Sequence, residues 1–143
     1  MTQPMSQALA QELTLQCLDP AGRSLELSAS LGYDLRDPYA VWFTFRAPDG
    51  DVRWAISRDT LLLGLTEPAG LGDVQVLPGI DDGRAVVLLE FHSPTGRLVA
   101  LAPTQTVHRF LVRTLAAVPA GTERVHLDLD GLVNALLGRS ESQ

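Results

Sequence analysis

The sequence contains no lysine; all eleven of its basic residues are arginine. A GC-rich genome accounts for this, because arginine codons can be GC-rich and lysine codons cannot. Selection for guanidinium chemistry would cluster the arginines, yet they are scattered from Arg23 to Arg139. No basic block exists, and the net charge is -6, which argues against a phosphate-binding surface. Cysteine is nearly absent too. Cys17 stands alone, so an intrachain disulfide and a thiolate metal cage are both excluded. Long apolar runs are missing. "AVVLL" at 85–89 falls far short of a membrane span, and "MTQPMSQALAQE" has neither the basic start nor the apolar centre of a signal peptide. These absences predict a soluble, cytoplasmic protein with no transmembrane segment.

What is present is a globular composition, 45% hydrophobic and 20% charged over 143 residues. This length favours one domain with a core large enough to need no metal or disulfide. "LTLQC" and "LELSASL" alternate apolar and polar around the turn "DPAG", which predicts a hairpin. "RDPYAVWFTF" at 36–45 reads as a strand, with Tyr39, Val41, Phe43 and Phe45 on the core side and Ala40, Trp42 and Thr44 opposite. Both faces are apolar, which leaves three readings: a central core strand, an aromatic platform for nucleic acid, or a surface that another protein covers. "APDG" turns the chain into "DVRWAI", with Val52, Trp54 and Ile56 together. Ser57 then caps a short helix that carries Asp59 in its first turn and stops near Gly64.

"VQVLP", "RAVVLLEFH" and "RLVALAP" follow as strands, giving seven in all. The unbroken run in "RAVVLLEFH" predicts coverage on both faces. The period then changes. Val107, Phe110, Leu111, Leu115 and Val118 mark an amphipathic helix, ended by Pro119 and Gly121. "RVHLDLD" reads as extended and "DGLVNALLG" as a short last helix. Strands first and helices last predict an α+β domain: curved antiparallel β-sheets forming a barrel-like body with C-terminal helices packed against it.

No constellation for chemistry emerges. His92, His108 and His126 lack partners at metal-ligand spacing. No G-x-S-x-G elbow is present, and "HSPTG" is a turn that places His92 and Ser93 on opposite faces. "GLGDV" lacks the third glycine and the following helix of a dinucleotide loop. "DLDG" lacks the remaining ligands of a calcium loop. Asp81–Asp82 falls in a turn beside Gly83. The expectation is a protein that is not an enzyme and has no cofactor and no metal. Tyr39, Phe43 and Phe45 could stack bases as an aromatic platform, but the acidic charge makes nucleic acid an unexpected partner.

Several stretches occur together: "GYDLRDPYAV" at 32–41, "VRWAISRDTLLLGL" at 52–65, "GLGDVQVLP" at 70–78, "SPTGRLVALAP" at 93–103 and "FLVRTLAAVPAGTERVHLDLD" at 110–130. Their combination resembles the SsgA-like family of actinobacterial sporulation and cell-division proteins, over about residue 30 to the end. The resemblance implies a whirly-like, barrel-like domain that forms a homotrimer and has no known catalysis. It implies a cytoplasmic protein located at the cell septum. There it would act as a sporulation-specific adaptor that recruits or tethers FtsZ, the tubulin-like division GTPase, together with an SsgA-type paralogue. The polar first residues, 1–10, are expected to be a mobile N-terminus, leaving a single SsgA-like domain over 11–143. Trp42, Trp54, Arg58 and Asp59 become the candidate partner or subunit interface. The alternative, from fold analogy alone, is a single-stranded nucleic-acid-binding protein of whirly-like fold.

Overall fold

The computed structural model describes residues 8–19, 21–70, 72–124 and 136–137. Seven strands follow in chain order: β1 (Ala8–Leu18), β2 (Ser24–Asp34), β3 (Ala40–Ala47), β4 (Gly50–Ser57), β5 (Val74–Asp81), β6 (Arg84–Ser93) and β7 (Gly96–Pro103). Helix α1 (Arg58–Leu63) separates β4 from β5, and helix α2 (Thr104–Ala117) follows β7 directly. The strands form one antiparallel sheet in the order β4-β3-β2-β1-β7-β6-β5. It consists of two meanders, β1–β4 and β5–β7, as the hairpin turns in the sequence predict. They meet where Gln16, Cys17 and Leu18 pair with Leu101, Ala100 and Val99.

Period-2 alternation gives the sheet one apolar face. Leu13, Leu15 and Cys17 of β1 share it with Ala29, Leu31 and Tyr33 of β2 and Val41, Phe43 and Phe45 of β3. The sheet curls around this face into a half-barrel. The curl brings Trp54, on edge strand β4, to 5.1 Å from Phe91 on β6, although four strands lie between β4 and β6 in the sheet order. Phe91 also meets Phe45 edge-on at 5.3 Å. Helix α2 fills the concave side, with Val107, Phe110 and Leu111 fully buried. Thr114, and not Leu115, completes its inner stripe. The Thr114 hydroxyl donates to the Leu111 carbonyl at 2.8 Å, so its burial leaves no orphan group.

Helix α1 begins as the sequence predicts, with Ser57 Oγ accepting from the Thr60 N–H at 3.2 Å. Gly64 ends it for a different reason from the usual left-handed cap, since its φ is -64°. A Cβ there would lie 2.2 Å from Val76 Cγ1, so glycine is required by the close approach of α1 to β5. The β5–β6 turn does use left-handed backbone, at Asp82 (φ 53°) and Gly83 (φ 76°), as a two-residue hairpin requires.

Three expectations need correction. Tyr39 is 45% exposed and precedes β3, so it is not core. Val52 shares the face of Trp54 and Ile56, as expected, opposite Phe45, though it is 48% exposed. In β6, burial alternates: Val87, Leu89 and Phe91 are enclosed, whereas Val86, Leu88 and Glu90 are only half-covered. The apolar run therefore does not reflect cover on both faces. Among the described residues the ladder includes Ala8, paired with Asp34, so β1 takes in residues 8–10 of the stretch expected to be mobile. The extended tail and last helix read from the sequence lie almost wholly outside the described residues.

Candidate partner-binding surface

Trp42 lies on the convex face of β3, where α2 does not reach. Its row neighbours are Gly32 on β2 and Ala55 on β4. Neither side chain is tall enough to cover an indole, so the ring stays half-exposed. Two contacts orient it. The Nε1–H donates to Asp37 Oδ2 at 3.3 Å, and the Arg53 guanidinium carbon stands 4.4 Å from the ring centroid. A guanidinium stacked on an indole is a cation–π pair that holds both groups in place at the surface. Helix α2 packs against β1, β6 and β7, on the other side of the sheet from Trp42.

Trp54 points to the concave side and closes the gap between the sheet's two ends. One cleft beside it is lined by Val52, Phe91, Leu98 and Arg97, and another by Ile56, Thr60, Gly70 and Val74. The indole thus packs on Phe91 and still borders both clefts. Asp59 is exposed in the first turn of α1, where a carboxylate suits the positive end of the helix.

Arg58 is placed otherwise. It is only 1% exposed, and its guanidinium has no surface to offer a partner. Nη2 donates to Glu123 Oε2 at 2.7 Å and Nη1 to the Thr114 carbonyl at 3.1 Å, while the Tyr33 ring centroid lies 5.3 Å from the guanidinium carbon. Glu123 is itself 5% exposed and accepts from the Gly121 N–H at 2.9 Å. The Arg58 hydrogen bond, aided by backbone donors, holds the Glu123 carboxyl below the usual range. Burial pushes the Tyr33 phenol up to about 12, and its hydroxyl donates to the Pro38 carbonyl at 2.8 Å. Arg58 is thus a clamp that fastens the start of α1 to the end of α2. As a partner contact, the candidate is overturned by its burial.

The four candidates therefore separate into a convex site at Trp42, a seam site at Trp54, an exposed cap at Asp59 and an internal clamp at Arg58. Sequence reasoning missed Asp37 and Arg53, which orient Trp42, and Glu123, which pairs with Arg58. Arg53 carries a weak signal, since it lies on the neighbouring strand of a hairpin whose register can be read from its turn. Glu123 carries none, being 65 residues from Arg58. Phe43 and Phe45 are buried, which leaves Tyr39 as the one exposed member of the aromatic platform considered for stacking bases.

The curled sheet covers its concave side with its own helix and carries an oriented tryptophan–arginine pair outside. Residues 27–123 match the family described as Streptomyces sporulation and cell division protein, SsgA, and the chain belongs to that family. It is 46% identical to the sporulation-specific cell division protein SsgB of Kineococcus radiotolerans, covering 88% of this chain and 78% of the relative. It is 41% identical to the protein of the same name from Streptomyces coelicolor, covering 95% of this chain and 100% of the relative. Among solved structures, an SsgA-like sporulation-specific cell division protein from Thermobifida fusca superposes with a TM-score of 0.84 at 32% identity, over 90% of this chain and 94% of that one. Another, reported under the statement that mutations in SsgB correlate to longitudinal cell division during sporulation of Streptomyces coelicolor, gives 0.79 at 42% identity, over 83% and 94%. Membership supports a role in sporulation and cell division. No helix among the described residues is long and apolar enough to cross a membrane.

Proposed function

We propose that this chain is a division adaptor of the SsgB type, which recruits or tethers FtsZ at future septum sites through protein–protein contacts alone. The observation that carries the reading is 41% identity along the full length of the Streptomyces coelicolor SsgB, joined to the same fold. In this reading the protein is cytoplasmic, gathers at the septum and works as a homotrimer with an SsgA-type paralogue. Trp42 and its Arg53 partner are the surface offered to a subunit or to FtsZ, since tryptophan and arginine dominate interface energetics. Trp54, at the seam on the opposite face, and Asp59, in the first turn of α1, are further candidate contacts. Catalysis is not part of the proposal.

The test is polymerisation of FtsZ from the same organism, read by light scattering and co-sedimentation with and without the protein. The expected result is protein in the pellet with the filaments and increased scattering. Absence of both, with the oligomer intact, overturns the FtsZ reading.

A further inference from the structure

On one side β1 pairs with β2 along its whole length, but on the other β7 reaches only Gln16–Leu18. Alongside the earlier part of β1, α2 takes the place of a strand. Between them lies an open cleft of about 420 Å³, lined by Gln11, Glu12, Thr14, Thr106, Arg109 and Arg113 among others. The Ala10 carbonyl faces α2 and accepts from Arg113 Nη1 at 3.2 Å. Backbone direction alternates along a strand, so the backbone groups of Glu12 and Thr14 face the same way with no strand to pair them.

Charge completes the picture. Arg109 and Arg113 are exposed, and neither has a carboxylate partner among the described residues, although the chain carries 17 acidic residues. Among the described residues, Arg113 also stands over the Phe110 ring, 5.8 Å from its centroid. Glu12 does not neutralise the pair, because Arg46 already holds both of its oxygens at 2.5 and 2.9 Å.

The spacing fits one kind of occupant. Residues i and i+4 of a helix are separated by about 6 Å along its axis. Side chains two apart on an extended strand are separated by about 6.6 Å and point the same way. We propose that the cleft between α2 and the unpaired flank of β1 docks a short extended peptide segment bearing acidic side chains at alternate positions. Its backbone pairs with the Ala10–Thr14 edge, displacing the Arg113–Ala10 bond, and its carboxylates meet Arg109 and Arg113. A strand edge presents donors and acceptors in turn, which a peptide backbone matches. A phosphate backbone offers acceptors alone and would leave the edge carbonyls unpaired. The cleft is on different elements from Trp42, and the proposal does not rest on the FtsZ reading.

The test uses the full-length protein and a capped, labelled peptide of alternating threonine and glutamate, followed by fluorescence anisotropy. Binding is expected, weakened about tenfold by Arg109→Ala with Arg113→Ala, in line with the loss of two exposed ion pairs. Methylating alternate backbone nitrogens of the peptide should abolish binding. The charge reversals Arg109→Glu and Arg113→Glu should transfer preference to a threonine–lysine peptide, a gain that a misfolded chain cannot produce. The proposal is overturned if the acidic peptide fails to bind, if either modification leaves its affinity unchanged, or if oligothymidylate occupies the protein in its place.

Discussion

Removing the Arg58 guanidinium would leave the Glu123 carboxylate buried without its partner. Arg58→Ala should therefore cost about 3–5 kcal/mol, read from urea unfolding midpoints. Replacing both residues by Met and Gln should cost far less, because no buried charge is then stranded. The pair also sets a pH dependence. Arg58 lowers the folded-state pKa of Glu123, so the stabilisation is fully present above the ordinary glutamate value, about 4.3, and is lost as pH falls through the folded value. Acidification below about pH 4.3 should lower the unfolding midpoint of the parent chain more steeply than that of Glu123→Gln; parallel curves would refute the link. From the sequence, Arg58 reads as a residue at a helix start, and the physical reason is plain. Local pattern identifies the helix, whereas the identity of a buried partner depends on the tertiary fold.

Among the elements, α1 is the most constrained by its neighbours. Gly64→Ala would drive a methyl group into Val76, and overpacking of this kind costs about 1–3 kcal/mol. A thermal melt should show a clear loss; an unchanged midpoint would mean that β5 moves aside freely. The strands and turns were legible because alternation and turn chemistry act over a few residues. The seven strands, the Ser57 cap and the stripe of α2 all follow from such short-range rules. What lay beyond them was the join between the two meanders, since the pairing of Gln16 with Leu101 leaves no trace in either segment. The misreading of β6 has a related cause. A continuous apolar run is what cover on both faces produces, but Val86 and Leu88 remain half-exposed on the convex side.

At the scale of the molecule, the convex face carries the consequence of Trp42 for assembly. In the proposed trimer, Trp42→Ala should weaken self-association while barely altering the stability of the single chain, because the indole is half-exposed and outside the core cluster. Light scattering coupled to size-exclusion chromatography at dilute concentration checks this; an unchanged molar mass would remove Trp42 from the subunit contact. Of the four candidates taken from the sequence, the family pattern marks Trp54, Arg58 and Asp59 and the doubly apolar strand marks Trp42, but neither gives a direction. Whether a side chain points to solvent or to a buried ion pair is decided by the curl of the sheet, which no short motif contains.

The junction between β1 and β7 has a mechanical meaning. A protein proposed to tether FtsZ bears load, and among the described residues the two meanders share a short ladder, at Gln16–Leu18. Hydrogen bonds there would part in succession under a pull that opens the sheet. Helix α2 runs across that junction, with Val107, Phe110 and Leu111 wedged among β1, β6 and β7. It works as a splint, and resistance to force in this molecule resides in apolar packing beneath one helix.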